Sequence, residues 1–362
     1  MLIYIAYFIF LIVLAVEYEL KPFRNDILLV LIILLLGLLA GLRGPDVSKD
    51  YGSYQILFDF INDFTGRNDG VFLPILEPGF TGLVLIFRSL FQYNYGLSLM
   101  LFFGLSSVLL KVISIKHLSV NPYLVILMYF SHYFLLHEMT QIRIGLASAI
   151  FFIALIFYLK GDKWIYISLI LIATFFHYSA IMYLLILLFN SKRFNKNLYV
   201  GILIFSIILG FLKIPLLNYL GNLDPGNISG RLNSYVNIVE SGNAQSINVF
   251  NVLNLLNIAI CLYFIIFIPI QRLLSDKPLL LFLKCNIFSI FLLSFLSGVP
   301  SLAFRFSELF GLVSIFVYAS LTKYLPLGKI NILITILIAC AVFYVTAFYG
   351  DLLNPYHMIK VK

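Results

Sequence analysis

Three residues combine a chemically useful side chain with an unusual place in the sequence: Arg143, His177 and Glu77. Arg143 opens the apolar run QIRIGLASAIFFIALIFYL, His177 lies in the uncharged stretch ATFFHYSAIMYL, and Glu77 lies in LEPGF. The planar guanidinium fork of arginine binds phosphate or carboxylate oxygens, and histidine or glutamate can act as a general base. Ionisable groups among apolar segments are costly, so these positions are candidates for function.

Each of the three residues also has a structural explanation. Arg143 can form an ion pair with Glu138. Glu77 precedes a proline at the start of a helix, where a carboxylate can cap the helix N-terminus. His177 can be a buried histidine whose ring nitrogens are hydrogen-bonded. The three together favour a functional site, because most of the chain is apolar.

Further charged residues lie where apolar runs end. Arg43 ends the second run in GLRGPDVSKDYGSY, where Gly and Pro turn the chain, and it can also be an interfacial arginine whose charge reaches water. Arg305 and Glu308, in SLAFRFSELF, are spaced i, i+3 and can pair with each other. Arg231 begins RLNSYVN and can be a solvated loop charge.

The composition indicates an integral membrane protein. Of the 362 residues, 62% are hydrophobic and 11% are charged, whereas soluble domains carry about 25% charged residues. The net charge of +8 does not indicate nucleic-acid binding, because lysines and arginines are spread through short gaps between apolar runs.

Cys261, Cys285 and Cys340 each lie in an apolar run, which predicts three buried free thiols without a disulfide or zinc site. An apolar run follows Met1 directly, without a basic segment, which predicts a retained first span.

The predicted fold is an all-α polytopic transmembrane helix bundle with about 11 to 12 crossings. We expect a single membrane-embedded catalytic domain over residues 1–362, with outer loops at 43–96 and 214–248. Apolar runs that can cross a ~30 Å hydrocarbon core lie near residues 2–16, 26–42, 97–112, 122–138, 141–160, 198–213, 249–270, 280–297, 304–321 and 330–348.

Two further segments, 78–91 and 164–189, allow two topologies. In the favoured topology, 78–91 is an amphipathic helix in the membrane plane and 164–189 is a hairpin whose tip is His177. In the alternative, each segment is a single span. The favoured topology gathers the basic residues of the gaps on one side, which the positive-inside rule makes cytoplasmic. These residues are Lys21, Arg24, Lys111, Lys116, Lys160, Lys163, Lys192, Arg193, Lys196, Arg272, Lys277, Lys323 and Lys329.

The opposite, outer side carries mainly arginine among its basic residues. Lysine is enough to set the orientation of a membrane protein, so we attribute the outer arginines to chemistry. The charged residues expected on this side include Arg43, Lys49, Arg67, Glu77, Arg88, Glu138, Arg143, Arg231, Arg305 and Glu308.

Motifs of several other protein classes are absent from the sequence. There is no Walker A sequence for ATP, no HExxH or paired-carboxylate pattern for a metal, and no G-x-S-x-G elbow of a serine hydrolase. We therefore expect no metal and no other cofactor.

Several short motifs resemble those of the EpsG-type family of Wzy-like polysaccharide polymerases, in order and spacing over roughly residues 40 to 356. They are Arg43-Gly44 followed by Asp50-Tyr51 and Tyr54, Glu77-Pro78-Gly79-Phe80, Gln141 to Gly145, Phe176-His177-Tyr178-Ser179-Ala180, the Arg231–Tyr235 stretch, Arg305-Phe306-Ser307-Glu308, and Asn354-Pro355-Tyr356.

The resemblance implies a multi-pass glycosyltransferase of the bacterial cytoplasmic membrane, similar in layout to C-type membrane glycosyltransferases. Such an enzyme joins undecaprenyl-diphosphate-linked oligosaccharide repeat units at the outer, periplasmic face, making O-antigen, capsule or exopolysaccharide. Its partners are the lipid-linked oligosaccharide and the bilayer, with a chain-length regulator and a flippase in the same pathway, and no nucleic acid.

The reaction assigns a role to each candidate residue. Arg143 and Arg305 are expected to stabilise the departing diphosphate. His177 is slightly favoured as the base for the acceptor hydroxyl; alternatively it hydrogen-bonds the diphosphate and Glu77 is the base. The residues expected to bind the diphosphate or the sugars are Arg43, Asp50, Tyr51, Arg88, Gln141, Arg231, Tyr235 and Glu308.

Two other functions fit the same sequence features. A glycan ligase would transfer a finished chain from the same carrier to a lipid or protein acceptor, and it would share the arginine-rich outer site. A transporter or flippase of lipid-linked sugars would instead carry charges through the middle of the bundle.

Overall fold

A computed structural model describes residues 1–23, 25–65, 76–189, 192–212, 247–350 and 352–359. Within these residues the regular structure is helical, apart from two isolated β-bridges. The prediction of an all-α polytopic membrane protein is therefore confirmed. The chain divides into two compact units, residues 1–184 with 318–362, and residues 185–317. The single catalytic domain over residues 1–362 stays a prediction.

The first unit holds most of the N-terminal half of the chain. Its longer helices are α1 (Leu2–Leu20), α2 (Asp26–Gly41), α3 (Tyr51–Thr65), α4 (Pro78–Phe91), α5 (Tyr95–Leu118), α6 (Pro122–Tyr129), α7 (Ile142–Lys160) and α8 (Lys163–Phe176). A π-helix, Phe130–Glu138, continues α6, and a 3-10 helix, Tyr178–Leu188, follows α8.

The second unit contains α9 (Lys196–Leu212), α10 (Val252–Phe267), α11 (Ile270–Ser275), α12 (Lys277–Phe295) and α13 (Pro300–Gly311). After α14 (Ser314–Ala319) the chain returns to the first unit with α15 (Leu321–Tyr324) and α16 (Ile330–Tyr344), which a π-helix, Val345–Tyr349, continues. All three cysteines are free thiols, as predicted. Cys261 and Cys285 are buried, but Cys340 is only partly buried, so the predicted burial of Cys340 is wrong.

Five described helical segments are long and apolar enough to cross a membrane by length and composition. They are Leu2–Leu20, Pro78–Leu118, Ile142–Lys160, Lys277–Phe295 and Ile330–Tyr349, and a sixth arises if the pair Pro300–Gly311 and Ser314–Tyr324, bent by 46°, counts as one span. Five further apolar helices among the described residues are shorter, with 10–17 residues each. The count of about 11 to 12 crossings therefore stays a prediction.

The segment that contains α4 and α5 is broken where Gln92 has a positive φ of 39°. Beyond this break α5 packs against α4, and the rings of Phe87 and Phe102 lie 5.2 Å apart. On α4, Phe80 and Val84 are buried and Arg88 is exposed. The predicted amphipathic helix is present, and its orientation in the membrane plane stays a prediction.

The chain reverses direction at His177. The hydroxyl of Tyr166, near the start of α8, donates to the backbone carbonyl of Tyr183, and the Tyr183 ring stacks on Phe151 at 3.7 Å. In a single continuous span Tyr166 and Tyr183 would lie about 29 Å apart, because an α-helix rises about 1.5 Å per residue and a 3-10 helix about 2.0 Å. The predicted hairpin is therefore present, with α8 as one arm and the 3-10 helix as the other.

Helices α2 and α5 run antiparallel in close contact. A Cβ atom on Gly41 would lie only 2.7 Å from the Cα of Leu101, so this position needs glycine. Near the opposite end of the pair, the Nζ of Lys116 lies 2.7 Å from the carboxylate of Asp26. This packing places the C-terminal end of α2 beside the N-terminal part of α5, and the N-terminal end of α2 beside the C-terminal end of α5.

The C-terminal segment lies across the loop that follows α2. The N–H of Gly44 donates to the carbonyl of His357 at 2.8 Å, and the N–H of Asn354 donates to the carbonyl of Val47 at 3.0 Å. These bonds hold the end of the chain over Arg43, which is fully buried.

Candidate active site

Glu77 joins Arg143 and His177 in one cluster. Its Oε2 accepts a hydrogen bond from Arg143 Nη1 at 2.7 Å, and its Oε1 lies 3.4 Å from His177 Nδ1. The Glu77 side chain is 6% exposed, that of His177 17% and that of Arg143 28%. Three residues from separate parts of the sequence therefore form a partly buried acid–base cluster that opens at the arginine.

Arg143 lies in the first turn of α7, where the partial positive charge of the helix N-terminus disfavours a cation. The Glu77 carboxylate compensates for this charge. The guanidinium carbon also lies 5.3 Å from the ring centre of Phe80 and 5.9 Å from that of Tyr54, within the range of cation–π attraction. Its Nε is buried and has no hydrogen-bond partner among the described residues, but 28% of the side chain is exposed, so part of it is accessible to a ligand.

Glu77 occupies the position before α4 but makes no side-chain cap to that helix. The capping explanation for Glu77 is therefore wrong, because its carboxylate is turned to Arg143 instead. Burial raises the pKa of the Glu77 carboxyl, but contact with His177 and the charge of Arg143 outweigh burial and hold that pKa below its ordinary value. Glu77 is thus a carboxylate at neutral pH.

His177 forms the tip of the hairpin that α8 begins. The backbone beside it packs closely against α4, because a Cβ on Gly79 would lie 2.9 Å from the carbonyl oxygen of Phe175. The hydroxyl of Tyr178 donates to the carbonyl of Leu76 at 3.0 Å. These contacts hold His177 against Glu77 and leave its Nε2 buried and without a hydrogen-bond partner among the described residues.

Arg43, Asp50 and Tyr51 lie beside this cluster. The Arg43 guanidinium carbon lies 5.6 Å from the Tyr51 ring centre, and burial lowers the pKa of Arg43 to about 10 while surrounding tyrosines oppose that shift. Burial also raises the pKa of Asp50, against the charges of Arg143 and Arg43. Arg43 is fully buried and its guanidinium donates to the carbonyl of Ala40. Its predicted contact with diphosphate stays a prediction.

The remaining predicted residues have different locations. Gln141 precedes α7, two positions before Arg143, and is partly exposed. Arg88 lies in the last turn of α4, at the end opposite to Glu77, and is not brought into the cluster. Arg305, which is exposed, and Glu308, which is partly exposed, lie on α13 in the second unit. Arg231 and Tyr235 fall outside the described residues.

A second ionic group lies close to the start of α7, and the sequence interpretation missed it. Lys111 of α5 pairs with Glu138, and both side chains are fully buried; Ser107 also donates to Glu138 Oε1, at 2.6 Å. The alternative explanation of Arg143, an ion pair with Glu138, is therefore wrong, because Glu138 pairs with Lys111 and Arg143 with Glu77. Assigning Lys111 to an exposed inner gap was also wrong: a lysine near the end of an apolar run resembles an interfacial one.

His137 is another buried ionisable residue that the sequence did not indicate. It is fully buried at the end of the π-helix, and neither ring nitrogen has a hydrogen-bond partner among the described residues. π-Helical turns often occur at functional sites. His137 lies within an apolar run, and no pattern in the surrounding sequence distinguishes a histidine that is buried there from one that is exposed.

The arrangement can bind an anion and accept a proton at one place. Arg143 supplies the cationic donor, and Glu77 can orient the imidazole of His177 so that Nε2 is free to act as a base. Among the described residues no three His, Cys, Asp or Glu side chains group closely enough to hold a metal ion. Catalysis without a metal stays a prediction.

Comparison with known proteins places the chain in a family. Residues 26–358 match the EpsG family, and the chain therefore belongs to this family of Wzy-like polymerases. No curated protein and no solved structure matches the chain. Family membership indicates a polysaccharide polymerase of glycosyltransferase type in a membrane.

Proposed function

We propose that this member of the EpsG family joins oligosaccharide repeat units carried on undecaprenyl diphosphate, at the outer leaflet of the bacterial cytoplasmic membrane. The observation that carries the proposal is the contact of Glu77 with both Arg143 and His177. A reaction with a diphosphate leaving group and a hydroxyl acceptor requires a cation and a base near each other, and this cluster supplies both.

His177 is the base in this proposal. Glu77 Oε2 is engaged by Arg143, and a carboxylate whose pKa is held below its ordinary value is a weak proton acceptor. The imidazole Nδ1, by contrast, lies 3.4 Å from Glu77 Oε1, and both buried ring nitrogens lack a hydrogen-bond partner among the described residues, which leaves Nε2 without a competing contact. Glu77 then orients the ring and stabilises the imidazolium that forms.

The proposed step transfers the growing glycan in one displacement. The acceptor hydroxyl gives its proton to His177 Nε2 as its oxygen forms a bond to the anomeric carbon of the donor sugar. The bond between that carbon and the diphosphate oxygen breaks, and its electron pair leaves with the diphosphate. Arg143 lies beside the developing negative charge, and removing one such preorganised donor typically costs about 10²- to 10³-fold in rate.

The proposed outward orientation rests on the ends of the helices in the first unit. Arg143 opens α7 and His177 follows α8, whereas Lys160 ends α7 and Lys163 begins α8. The cluster therefore lies at the helix ends opposite to these lysines. The positive-inside rule then assigns the lysine ends to the cytoplasm and the cluster to the outside.

Accessibility labelling tests this orientation. Single cysteines at Asn94, His117 and Asp162, all exposed, are introduced in a background with Cys340→Ser, since Cys340 is only partly buried. We expect a membrane-impermeant thiol reagent to label position 94 in intact cells and positions 117 and 162 only after permeabilisation. The reverse pattern would contradict an outward-facing site.

The function itself is tested in a strain that lacks the chain. The wild-type chain should restore long glycans, whereas the absence of the chain should leave single capped repeat units. Long chains that remain on the carrier would instead identify a ligase. Repeat units that accumulate on the inner leaflet would identify a flippase, and either result would reject the polymerase.

A further inference from the structure

A recess in the surface of the first unit lies beside the candidate active site. It is a cavity of about 380 Å³ between α3, the start of α5 and the C-terminal segment, a volume within the usual range of ligand pockets. Four of its lining residues are aromatic: Tyr51, Phe58, Tyr93 and Tyr95. Tyr93 is 96% exposed, so its ring is accessible to a ligand.

The polar lining of this cavity is suited to hydroxyl groups. Gln55, Asp59 and Asn94 contribute amide and carboxylate groups, which together donate to and accept from sugar hydroxyls. The hydroxyl of Tyr95 donates to Asp59 Oδ1 at 2.8 Å and fixes that carboxylate. Among the described residues that line the cavity, none is a lysine or an arginine, so the lining does not favour a phosphate.

Two aromatic side chains connect this cavity with the acid–base cluster. The ring of Phe58, in the cavity wall, lies 6.0 Å from that of Phe80, and Phe80 lies 5.3 Å from the guanidinium carbon of Arg143. A ligand in the cavity would thus be separated from the proposed diphosphate site by these two rings. That separation suits consecutive parts of one long substrate.

We propose that this cavity binds uncharged sugar rings of the repeat unit. The tyrosine and phenylalanine rings pack against the apolar C–H faces of the sugar, and the amides and Asp59 bind its hydroxyls. This inference rests on the proposed function, because it takes the repeat unit as the substrate. It divides recognition into two parts: sugar rings at the aromatic cavity and diphosphate at Arg143.

Two probes separate these parts in the purified full-length chain. One is the free reducing oligosaccharide released from the host polysaccharide, and the other is inorganic pyrophosphate. Their binding is measured by saturation-transfer NMR and titration calorimetry for the wild type, Tyr93→Ala, Gln55→Ala and Arg143→Ala. Tyr349→Ala is the matched control, because Tyr349 is also strongly exposed, at 83%, in the first unit.

We expect Tyr93→Ala and Gln55→Ala each to weaken oligosaccharide binding about tenfold and to leave pyrophosphate binding unchanged. Arg143→Ala should do the opposite, and Tyr349→Ala should change neither. Oligosaccharide binding that is absent in the wild type, or equal in the wild type and both cavity variants, would overturn the cavity proposal. If the cavity variants lose oligosaccharide while Arg143→Ala still binds pyrophosphate and polymerises, the cavity proposal is supported and the active-site assignment is overturned.

Discussion

Glu77 and Arg143 are 66 positions apart in the sequence, and a hydrogen bond of 2.7 Å joins Glu77 Oε2 to Arg143 Nη1. The bond balances a cation at the N-terminus of α7 against a carboxylate at the N-terminus of α4. Because His177 approaches the other oxygen of the same carboxylate, a change at any of the three residues alters the charge felt by the other two.

Replacing Arg143 by Ala should reduce glycan polymerisation by about 10²- to 10³-fold, because the departing diphosphate loses its donor. Lys163→Ala is the matched control: Lys163 is exposed and begins α8, at the opposite end of that helix from His177, so its removal should leave polymerisation close to wild type. The measurement is the rate of polymer formation in membrane vesicles at equal protein abundance. Equal losses in both variants would contradict the site described here.

His177→Ala and Glu77→Gln should differ in severity. If His177 is the base, as proposed, its loss removes a contribution of about 10²- to 10⁴-fold, whereas Glu77→Gln keeps a polar partner beside the imidazole and should cost less. The same vesicle assay measures both variants, with membrane abundance checked by immunoblot. A loss in Glu77→Gln that exceeds the loss in His177→Ala would make Glu77 the base.

The stability of the chain should depend on pH through Glu77. Its folded-state pKa lies below the ordinary value of 4.5, so its ionised form contributes stability that is present above about pH 4.5 and is lost as pH falls below that value. Thermal unfolding in detergent should show a larger loss at low pH for the wild type than for Glu77→Gln. For Asp50 we expect the wild type to lose less stability at low pH than Asp50→Asn does. Burial raises the pKa of Asp50, so its ionised form disfavours the folded state and its protonation at low pH removes that cost.

Two glycines of α4 provide a test of the hairpin tip. Gly79→Ala would place a Cβ 2.9 Å from the carbonyl oxygen of Phe175, whereas a Cβ on Gly82 would meet nothing within 4 Å. We expect Gly79→Ala to displace His177 from Glu77 and to lower activity at least about tenfold. Gly82→Ala should keep activity and can stabilise the helix by about 0.5–1 kcal/mol. Full activity in Gly79→Ala would show that the close packing of α4 on the tip is not needed.

The buried pair of Lys111 and Glu138 should matter far more than the exposed pair of Lys116 and Asp26. Both side chains of the first pair are 0% exposed, compared with 45% and 76% in the second. Glu138→Gln should destabilise the chain by about 3–5 kcal/mol, because it leaves a buried lysine unpaired. Asp26→Asn should cost less than about 1 kcal/mol. Adding Lys111→Met to Glu138→Gln should recover much of the loss in thermal unfolding, and failure to recover it would indicate that Lys111 has a role besides pairing.

The sequence predicted those features that have a strong local signal, such as a long apolar run or an ionisable residue whose position in an apolar segment costs free energy. The apolar runs indicated the helices, and the distribution of basic residues between these runs favoured the hairpin whose tip is His177. Pairing could not be predicted in the same way: Arg143 is nearer to Glu138 in the sequence but contacts Glu77, because tertiary packing brings α4 onto the tip. The polar cavity residues were not predicted either, since exposed polar side chains on α3 resemble a solvated helix face.

The side-chain amide of Asn354 donates to the carbonyl of Asp46, 308 positions earlier in the sequence, and this has a consequence for the order of folding. The cover over Arg43 needs residues that are synthesised long after α2. The surroundings of Arg43 therefore cannot be completed while the intervening helices are being made, and a chain that stops before residue 354 would lack this cover.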